Sequence, residues 1–239
     1  MLTSNIKFQG FKIKKKKIKV KNIFKNIKNK INKKSDLFLN SLLIDYKNSF
    51  NINDLKKYRR FNLYNIIGMG GSSLGAKAIY SFLNYKIKKK FNFINNLNIQ
   101  KPKLNKEKQL NIVISKSGNT LETIVNFNTQ RNIKNTIFIT ENKNNYLRNI
   151  AKKMKKEIFE HRNFIGGRYS VLSETGMLPA CLMGLDYKKF KQFNNLIKNK
   201  NFQNKLINNV SAILDFHNKK KFNSIILNYD TNSQDLFNW

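Results

Sequence analysis

The stretch LNIVISKSGNTLETIVNF, residues 110–127, decides the fold of this 239-residue chain. It opens with an apolar run of strand length and closes with a stretch, from Glu122 to Phe127, that is typical of a helix. A short polar turn joins them, formed by Ser115, Lys116, Ser117, Gly118, Asn119 and Thr120. Because N–H groups at a helix N-terminus lack partners and the helix dipole is positive there, this turn has the chemistry of a phosphate cradle. Simple helix capping is the alternative interpretation.

The same strand-then-helix rhythm begins at Phe61 and continues to His161. Predicted strands cover residues 63–67, 110–114, 136–139 and 157–161, and predicted helices cover 72–85, 120–129 and 144–156. Nearly continuous apolar strands that alternate with helices indicate an α/β fold, a parallel sheet flanked by helices on both faces. Ligands of such sheets bind beyond the carboxyl ends of the strands, where the polar turn at Ser115 would lie.

The two ends of the chain have a different pattern. Residues 1–60 are rich in Lys and Asn, and we expect an N-terminal helical arm that packs on the next domain, with an amphipathic helix from Asp36 to Ile44. Residues 61–185 form the predicted sheet domain. Residues 186–239 are predicted to be mostly helical, with a strand candidate at 224–227.

The formal net charge of +34 raises the possibility of a nucleic-acid-binding protein. The excess is Lys rather than Arg, it is spread along most of the chain, and it accompanies heavy use of Asn, Ile and Phe. These residues share A/T-rich codons, so we favour a composition bias over a nucleic-acid surface. A basic nucleic-acid-binding protein remains the weaker alternative.

The sequence does not indicate a metalloprotein, a disulfide-bonded protein or a membrane protein. Cys181 is the only cysteine and there are two histidines, so we expect no intramolecular disulfide, no metal site and no cofactor. No apolar run approaches the roughly 18 residues of a membrane span, and the N-terminus lacks the apolar core of a signal peptide. The expectation is a soluble cytoplasmic protein without a membrane partner.

A glycine-rich turn, GMGGSSLG at residues 68–75, follows the first predicted strand. A dinucleotide fingerprint fits badly, because Ser73 takes the place of its third glycine and no carboxylate occurs between Asp54 and Glu107. A P-loop also fails, since no Gly-Lys-Ser/Thr closes the turn. Glycines followed by hydroxyls before a helix still suit an anion. A tight turn without a ligand is the alternative.

A third turn, GGRYS at residues 166–170, places Arg168 after two glycines. A guanidinium on a backbone that approaches a ligand closely could stabilise an anion or a developing oxyanion. The alternative is a surface turn in which Arg168 pairs with Glu160 or Glu174.

Together, GMGGSSLG, SKSGNTLET (115–123) and GGRYSVLSETGMLP (166–179) resemble the glucose-6-phosphate isomerase family. The middle motif is typical of sugar isomerase (SIS) domains in general, and the third is more specific. The resemblance implies two SIS domains, of which residues 61–185 would be the first, with 186–239 leading toward the second. It further implies a homodimer that binds glucose 6-phosphate and fructose 6-phosphate without a cofactor.

The resemblance also implies roles for individual residues. Gly71 and Ser72 would line the sugar-phosphate site, and Arg168 would stabilise the enediolate. The phosphate would bind the loop formed by Ser115, Lys116, Ser117, Gly118, Asn119 and Thr120. This loop departs from the family's Ser-Lys-Thr-Phe-Thr-Thr form at its third, fourth and fifth positions.

The catalytic base implied by the resemblance is missing from this sequence. It is the glutamate of a Glu-Ser-x-Gly-Lys motif expected just after Trp239, and Glu122, Glu160, Glu174 and His161 do not sit in a matching motif. The family's ring-opening histidine and late lysine are missing too. We therefore expect the front half of an isomerase, which alone binds sugar phosphate weakly and turns it over negligibly. A non-catalytic phosphosugar-binding module is the alternative.

Overall fold

A computed structural model describes residues 17–97, 108–130, 132–192, 195 and 198–239. The chain divides into two compact units, one of residues 47–190 with 228–239 and the other of residues 1–46 with 191–227. The three segments predicted from the sequence are a different division and stay a prediction. No helix in the described ranges is both long enough and apolar enough to cross a bilayer.

The larger unit is built on five parallel strands in the order β2-β1-β3-β4-β5. The predicted α/β class is confirmed. The strands are β1 (Leu63–Ile67), β2 (Lys90–Ile94), β3 (Gln109–Ile114), β4 (Thr136–Thr140) and β5 (Ile158–Glu160). The helices that connect and cover them are α3 (Ile52–Leu55), α4 (Leu74–Phe82), α5 (Leu121–Asn128), α6 (Tyr146–Lys153) and α7 (Glu174–Leu182).

Each face of the sheet has its own apolar core. On one face the aligned residues Ile66, Ile112 and Ile137 pack in a cluster with residues of α4 and α7. On the other face the next aligned row, Ile67, Val113 and Phe138, packs in a cluster with residues of α5 and α6. Successive strand residues point to opposite faces, so a strand that is covered on both faces is expected to be apolar at most of its positions.

The smaller unit is helical in its described part. It contains α1 (Lys17–Asn32), α2 (Leu37–Ser41) and α8 (Lys200–Asn218), and α1 packs against α8. The Lys191 ammonium is almost fully buried and lies 4.1 Å from the centroid of the Tyr46 ring, a cation–π contact. The amphipathic helix predicted from Asp36 to Ile44 is shorter than expected, since α2 covers only Leu37–Ser41.

Two sequence-based expectations differ from the structure. The edge strand β2 was not predicted, because it alternates exposed and buried residues instead of forming a continuous apolar run. The strand predicted at 224–227 is wrong: these residues have no strand assignment, and Ile225, Ile226 and Leu227 are 61–86% exposed. A strand needs a ladder partner, and none of the described strands pairs with this segment.

A short C-terminal helix, α9 (Gln234–Asn238), folds back onto α4. The Asp235 carboxylate lies 3.0 Å from the Lys77 ammonium and accepts a hydrogen bond from the Ser81 hydroxyl. Burial alone would raise the pKa of Asp235, but the hydrogen bonds from Ser81 and Lys77 outweigh it and hold the pKa below its ordinary value. One carboxylate therefore links the end of the chain to the sheet unit.

Replacing Asp235 with asparagine should destabilise the larger unit at neutral pH by about 1 kcal/mol, since a partly buried ion pair is lost. A carboxyl whose pKa is lowered by folding stabilises above its unfolded pKa and loses that contribution as pH falls through the folded pKa. The difference between the two proteins should therefore begin to shrink below about pH 4, the unfolded pKa, and vanish only once the pH lies below the lowered pKa of folded Asp235. Urea unfolding across pH measures it. The control is Asp186→Asn, whose side chain, among the described residues, accepts only from the Lys188 N–H. A constant difference down to acid pH would contradict the prediction.

Candidate functional site

The carboxyl ends of β1 and β3 meet at the point where the sheet reverses its direction of winding. The chain passes from β1 to β2 on one side, and β3 lies on the other side of β1. The turns that follow these two strands are in contact, because a Cβ placed on Gly68 would lie 2.8 Å from the Ile114 carbonyl oxygen. Such a switch point is where doubly wound α/β sheets form their ligand crevice.

The turn after β3 is held together by its own hydroxyl groups. The Ser115 and Thr120 hydroxyl oxygens are 2.9 Å apart, and Ser115 Oγ also accepts a hydrogen bond of 3.1 Å from the Gly118 N–H. Ser115 is buried, whereas Ser117 is exposed and Thr120 is half-buried. Ser115 therefore shapes the turn from within, and Ser117 and Thr120 remain accessible to a ligand.

The N-terminus of α6 fixes the back of this turn. The Leu147 N–H donates to the Gly118 carbonyl at 3.0 Å, and the Tyr146 N–H donates to Asn119 Oδ1 at 3.0 Å. Asn145, the N-cap of α6, accepts from the Arg148 N–H at 2.9 Å. The first N–H groups of α6 thus hold Gly118 and Asn119 in place, which assigns these two residues to the framework of the turn.

The front of the turn presents the N-terminus of α5. The first intrahelical bond runs from the Ile124 N–H to the Thr120 carbonyl at 3.1 Å. In the described part of the chain, no acceptor lies within hydrogen-bond distance of the N–H groups of Leu121, Glu122 and Thr123. The Thr123 hydroxyl is buried and also lacks a partner there. Free N–H groups beside two accessible hydroxyls form an anion-binding arrangement.

Lys116 lies at the flank of the turn rather than free in solution. Its ammonium is 3.3 Å from Glu141 Oε1 and donates to the Asn163 carbonyl at 2.8 Å. Burial alone would raise the pKa of Glu141, but hydrogen bonds from Lys143 and Lys116 hold it below its ordinary value. Glu141 therefore stays ionised and offsets part of the Lys116 charge, so a direct contact of Lys116 with a ligand would require exchange of partners.

The glycine-rich turn and the arginine turn touch each other. A Cβ on Gly71 would lie 2.2 Å from the Gly167 carbonyl oxygen and 2.8 Å from the Arg168 nitrogen. Ser170 Oγ donates to the Gly167 carbonyl at 2.6 Å and reaches the Gly71 carbonyl at 3.4 Å. This contact brings the backbone of Arg168 beside Gly71.

The Arg168 side chain is exposed, and within the described ranges no carboxylate forms an ion pair with it. Glu160 instead pairs with Arg162 at 3.0 Å, and Glu174 accepts from the Ser49 N–H at 2.8 Å. The ion pair that the sequence offered as an alternative for Arg168 is therefore not formed. A guanidinium without a carboxylate partner is available for an anionic ligand.

The buried residue His161 directly follows β5. It is 1% exposed, and burial, the dominant influence, lowers its pKa. Its Nδ1 lies 3.1 Å from the Arg162 carbonyl oxygen, a weaker influence that raises the pKa. An imidazole with a lowered pKa is neutral at pH 7, so His161 contributes packing rather than positive charge to the site.

Sequence reasoning did not name three residues that position the loop, Glu141, Asn145 and Asn163. Of these only Asn145 carried a local signal, since an asparagine directly before a helical stretch is a typical N-cap. The contacts of Glu141 and Asn163 with Lys116 join residues far apart in the sequence. The predicted binding residues, in contrast, are brought to one edge of the sheet; their roles toward a ligand remain predictions.

Fold and site together define a doubly wound α/β protein with polar, glycine-containing turns at its switch point. The family model for phosphoglucose isomerase matches residues 45–234, and the chain belongs to this family. The resemblance read from the three motifs is thereby confirmed.

Curated relatives carry the corresponding names. The glucose-6-phosphate isomerase of Mycoplasmopsis pulmonis is 33% identical over 204 residues, which is 73% of this chain and 47% of that protein. The probable glucose-6-phosphate isomerase of Methanococcus maripaludis is 34% identical over 172 residues, 58% of this chain and 37% of that protein. The chain thus spans about half the length, or less, of these relatives.

A solved structure shares the fold. The crystal structure of a hypothetical protein from Thermus thermophilus superposes with a TM-score of 0.65 at 20% identity and covers 84% of this chain and 54% of that one. The likeness is one of architecture, since the sequence identity is low.

Proposed function

We propose that this chain provides the phosphate-binding part of a glucose-6-phosphate isomerase and that the whole protein interconverts glucose 6-phosphate and fructose 6-phosphate. The observation that carries the proposal is the meeting of three turns, after β1, after β3 and after β5, at one edge of the sheet. By the same family resemblance the whole protein would be a homodimer. The cytoplasmic location expected from the sequence remains a prediction.

The phosphate group would bind at the N-terminus of α5. The N–H groups of Leu121, Glu122 and Thr123 and the hydroxyls of Ser117 and Thr120 would donate to its oxygens. The turn is already fixed by Ser115 and by α6, so little ordering is needed when the ligand arrives. Binding a group remote from the reacting carbons supplies positioning energy for the reaction.

The sugar end of the ligand would lie toward Gly71, Ser72 and Arg168. Isomerisation of the aldose removes the proton from C2 and adds a proton to C1, while the O2 hydroxyl proton is lost and the O1 oxygen gains one. Negative charge develops on oxygen in the enediolate between these steps. The Arg168 guanidinium, free of a carboxylate partner, would stabilise that charge.

The base of this reaction has no candidate among the described carboxylates near the site. Glu141 pairs with Lys116 and Lys143, Glu160 pairs with Arg162, and Glu174 is fully buried. Glu122 lies in the first turn of α5, where the phosphate rather than the reacting carbons would bind. A general base has to reach the proton that it removes. We therefore infer that the glutamate implied by the family resemblance, after Trp239, supplies it in the whole enzyme.

Replacing Thr120 with valine should weaken binding of fructose 6-phosphate to this chain by about tenfold or more, because a hydrogen bond to a charged group contributes roughly 1.5–3 kcal/mol. The shape of the side chain is retained, so α5 should form as before. Isothermal titration calorimetry measures the affinity. The control is Thr129→Val at the opposite end of the same helix, where the hydroxyl donates to the Asn126 carbonyl. Equal affinities for both variants would count against the site.

The half-enzyme proposal is tested by activity. The purified 239-residue chain should bind fructose 6-phosphate yet show negligible isomerase activity in a dehydrogenase-coupled assay. Ordinary isomerase rates from this chain alone would overturn the inference that the base lies outside it.

In the whole enzyme, Arg168→Lys should lower kcat far more than it changes KM, since the guanidinium acts mainly on charge formed in the transition state.

A further inference from the structure

The opposite edge of the sheet carries a strongly basic cavity that the proposed isomerase reaction does not use. It has a volume of about 510 Å³ and lies at the amino ends of β1, β4 and β5. Five of its ten lining residues are Lys or Arg, against 47 of 239 in the whole chain. Its charge therefore exceeds what the general lysine bias predicts. The basic residues are Lys57, Arg60, Lys134, Lys155 and Lys156.

The one acidic residue of this basic cavity is already engaged. Glu157 lies 2.8 Å from the Lys57 ammonium and accepts a hydrogen bond from the Tyr58 hydroxyl. Across the described part of the chain, no carboxylate pairs with Arg60, Lys134 or Lys155. Each strand end thus contributes one unneutralised cation.

The backbone around the cavity supports this arrangement. Lys156 donates to the Lys134 carbonyl at 2.6 Å, which ties the end of the α6–β5 turn to the start of β4. Lys155 adopts φ 51°, a conformation that few residues other than glycine adopt. Local strain of this kind persists only where surrounding contacts maintain it. The cations are therefore presented by a fixed part of the fold.

We propose that this basic cavity binds a small polyanion with two or more linked phosphates. Arg60 and Lys134 precede strands that are two strand intervals apart, roughly 10 Å at about 4.8 Å for each interval. A chain of phosphates supplies a charged group for each of these strand ends, which a single phosphate ion does not. The volume lies within the usual range of small-molecule sites.

The aromatic residues of the cavity favour phosphate groups over nucleobases. Phe61 is 2% exposed and lies under the Arg60 guanidinium. The Tyr58 hydroxyl donates to Glu157, and the Lys57 ammonium lies over the Tyr58 ring. Single-stranded nucleic acids gain much of their affinity from stacking on exposed aromatic rings. The cavity offers no such ring in its described lining, so we place a polyphosphate there rather than an oligonucleotide.

Titration of the 239-residue chain with inorganic triphosphate tests the proposal. We expect Lys134→Glu/Lys155→Glu to weaken binding by about tenfold or more, as two charged contacts are lost. Lys188→Glu/Lys189→Glu, the same change of charge at exposed positions of the same unit, should weaken it less than about twofold. Lys134→Glu/Lys155→Glu should leave the binding of fructose 6-phosphate unchanged, which separates this site from the proposed sugar-phosphate site.

Chemical footprinting of the unmutated chain gives an independent readout that does not depend on the variants folding. Triphosphate should protect Lys134 and Lys155 from acetylation and leave Lys188 and Lys189 reactive. Equal weakening by both double variants, uniform protection, or absence of binding would overturn the proposal. Tighter binding of a single-stranded RNA that is lost in the same double variant would replace it with a nucleic-acid site.

Discussion

Replacing Gly71 with alanine is expected to lower the free energy of unfolding of the sheet unit by about 2–4 kcal/mol, because the new Cβ would collide with backbone. It would lie 2.2 Å from the Gly167 carbonyl oxygen and 2.4 Å from the carbonyl carbon. A flexible side chain could rotate away, but a carbonyl group held by the Ser170 hydroxyl cannot. The glycine-rich turn and the arginine turn would have to separate.

The same separation should abolish measurable binding of fructose 6-phosphate, since Arg168 would move away from the turns after β1 and β3. Gly167→Ala is the matched control for stability, because a Cβ there would meet nothing within 4 Å. We expect it to change the free energy of unfolding by less than about 0.5 kcal/mol. Thermal or urea unfolding compares the two. Similar losses from both variants would show that the Gly71–Gly167 approach is not what the fold depends on.

The central strands could be predicted from the sequence because burial on both faces dictates their composition. All five residues of β1 and of β4 are buried, and apolar residues dominate both strands. The edge strand β2 escaped prediction because one side of it is exposed, so its alternating pattern resembles many surface segments. Single-sequence patterns report burial, and they report strand pairing only indirectly.

Buried asparagines are a second feature that the sequence pattern does not reveal. The Asn65 and Asn111 side chains lie on neighbouring strands and share a hydrogen bond of 3.0 Å, and Asn92 on β2 donates to Asn65 at 3.1 Å. Each asparagine alone lowers the strand propensity of its segment. The ladder that satisfies their amide groups exists only once the strands are aligned, so no local pattern can reveal it.

The site shows the same division between local and distant causes. The loop of residues 115–120 was predictable because its hydroxyls, glycine and position before a helix are properties of one short segment. That Lys116 is held by Glu141 and Asn163 depends on the order of β3, β4 and β5 in the sheet. The sequence therefore identifies which residues could bind an anion, and tertiary structure decides which of them are already engaged.

Replacing Gly118 with alanine should lower the free energy of unfolding by about 2–4 kcal/mol, as the sum of two separable costs. Gly118 has φ 69°, a conformation that costs roughly 1–2 kcal/mol for an alanine. The new Cβ would also lie 1.9 Å from Asn145 Oδ1, so the asparagine would have to rotate away and abandon the N-cap of α6. Binding of fructose 6-phosphate should weaken as well, because α6 fixes the loop of residues 115–120 to which we assign the phosphate.

Two further variants separate these costs. Gly184→Ala meets the same backbone strain, with φ 87° and nothing within 4 Å of a Cβ, and should cost only about 1–2 kcal/mol. Asn145→Ala removes the cap of α6 but also the side chain with which the new Cβ collides. The double variant should therefore lose less free energy of unfolding than the two single variants lose together. Urea unfolding of the unmutated chain, the two single variants at Gly118 and Asn145 and the double variant completes this double-mutant cycle, and Gly184→Ala is measured beside them. Full additivity would mean that Gly118 and Asn145 act independently, and it would contradict the proposed collision between them.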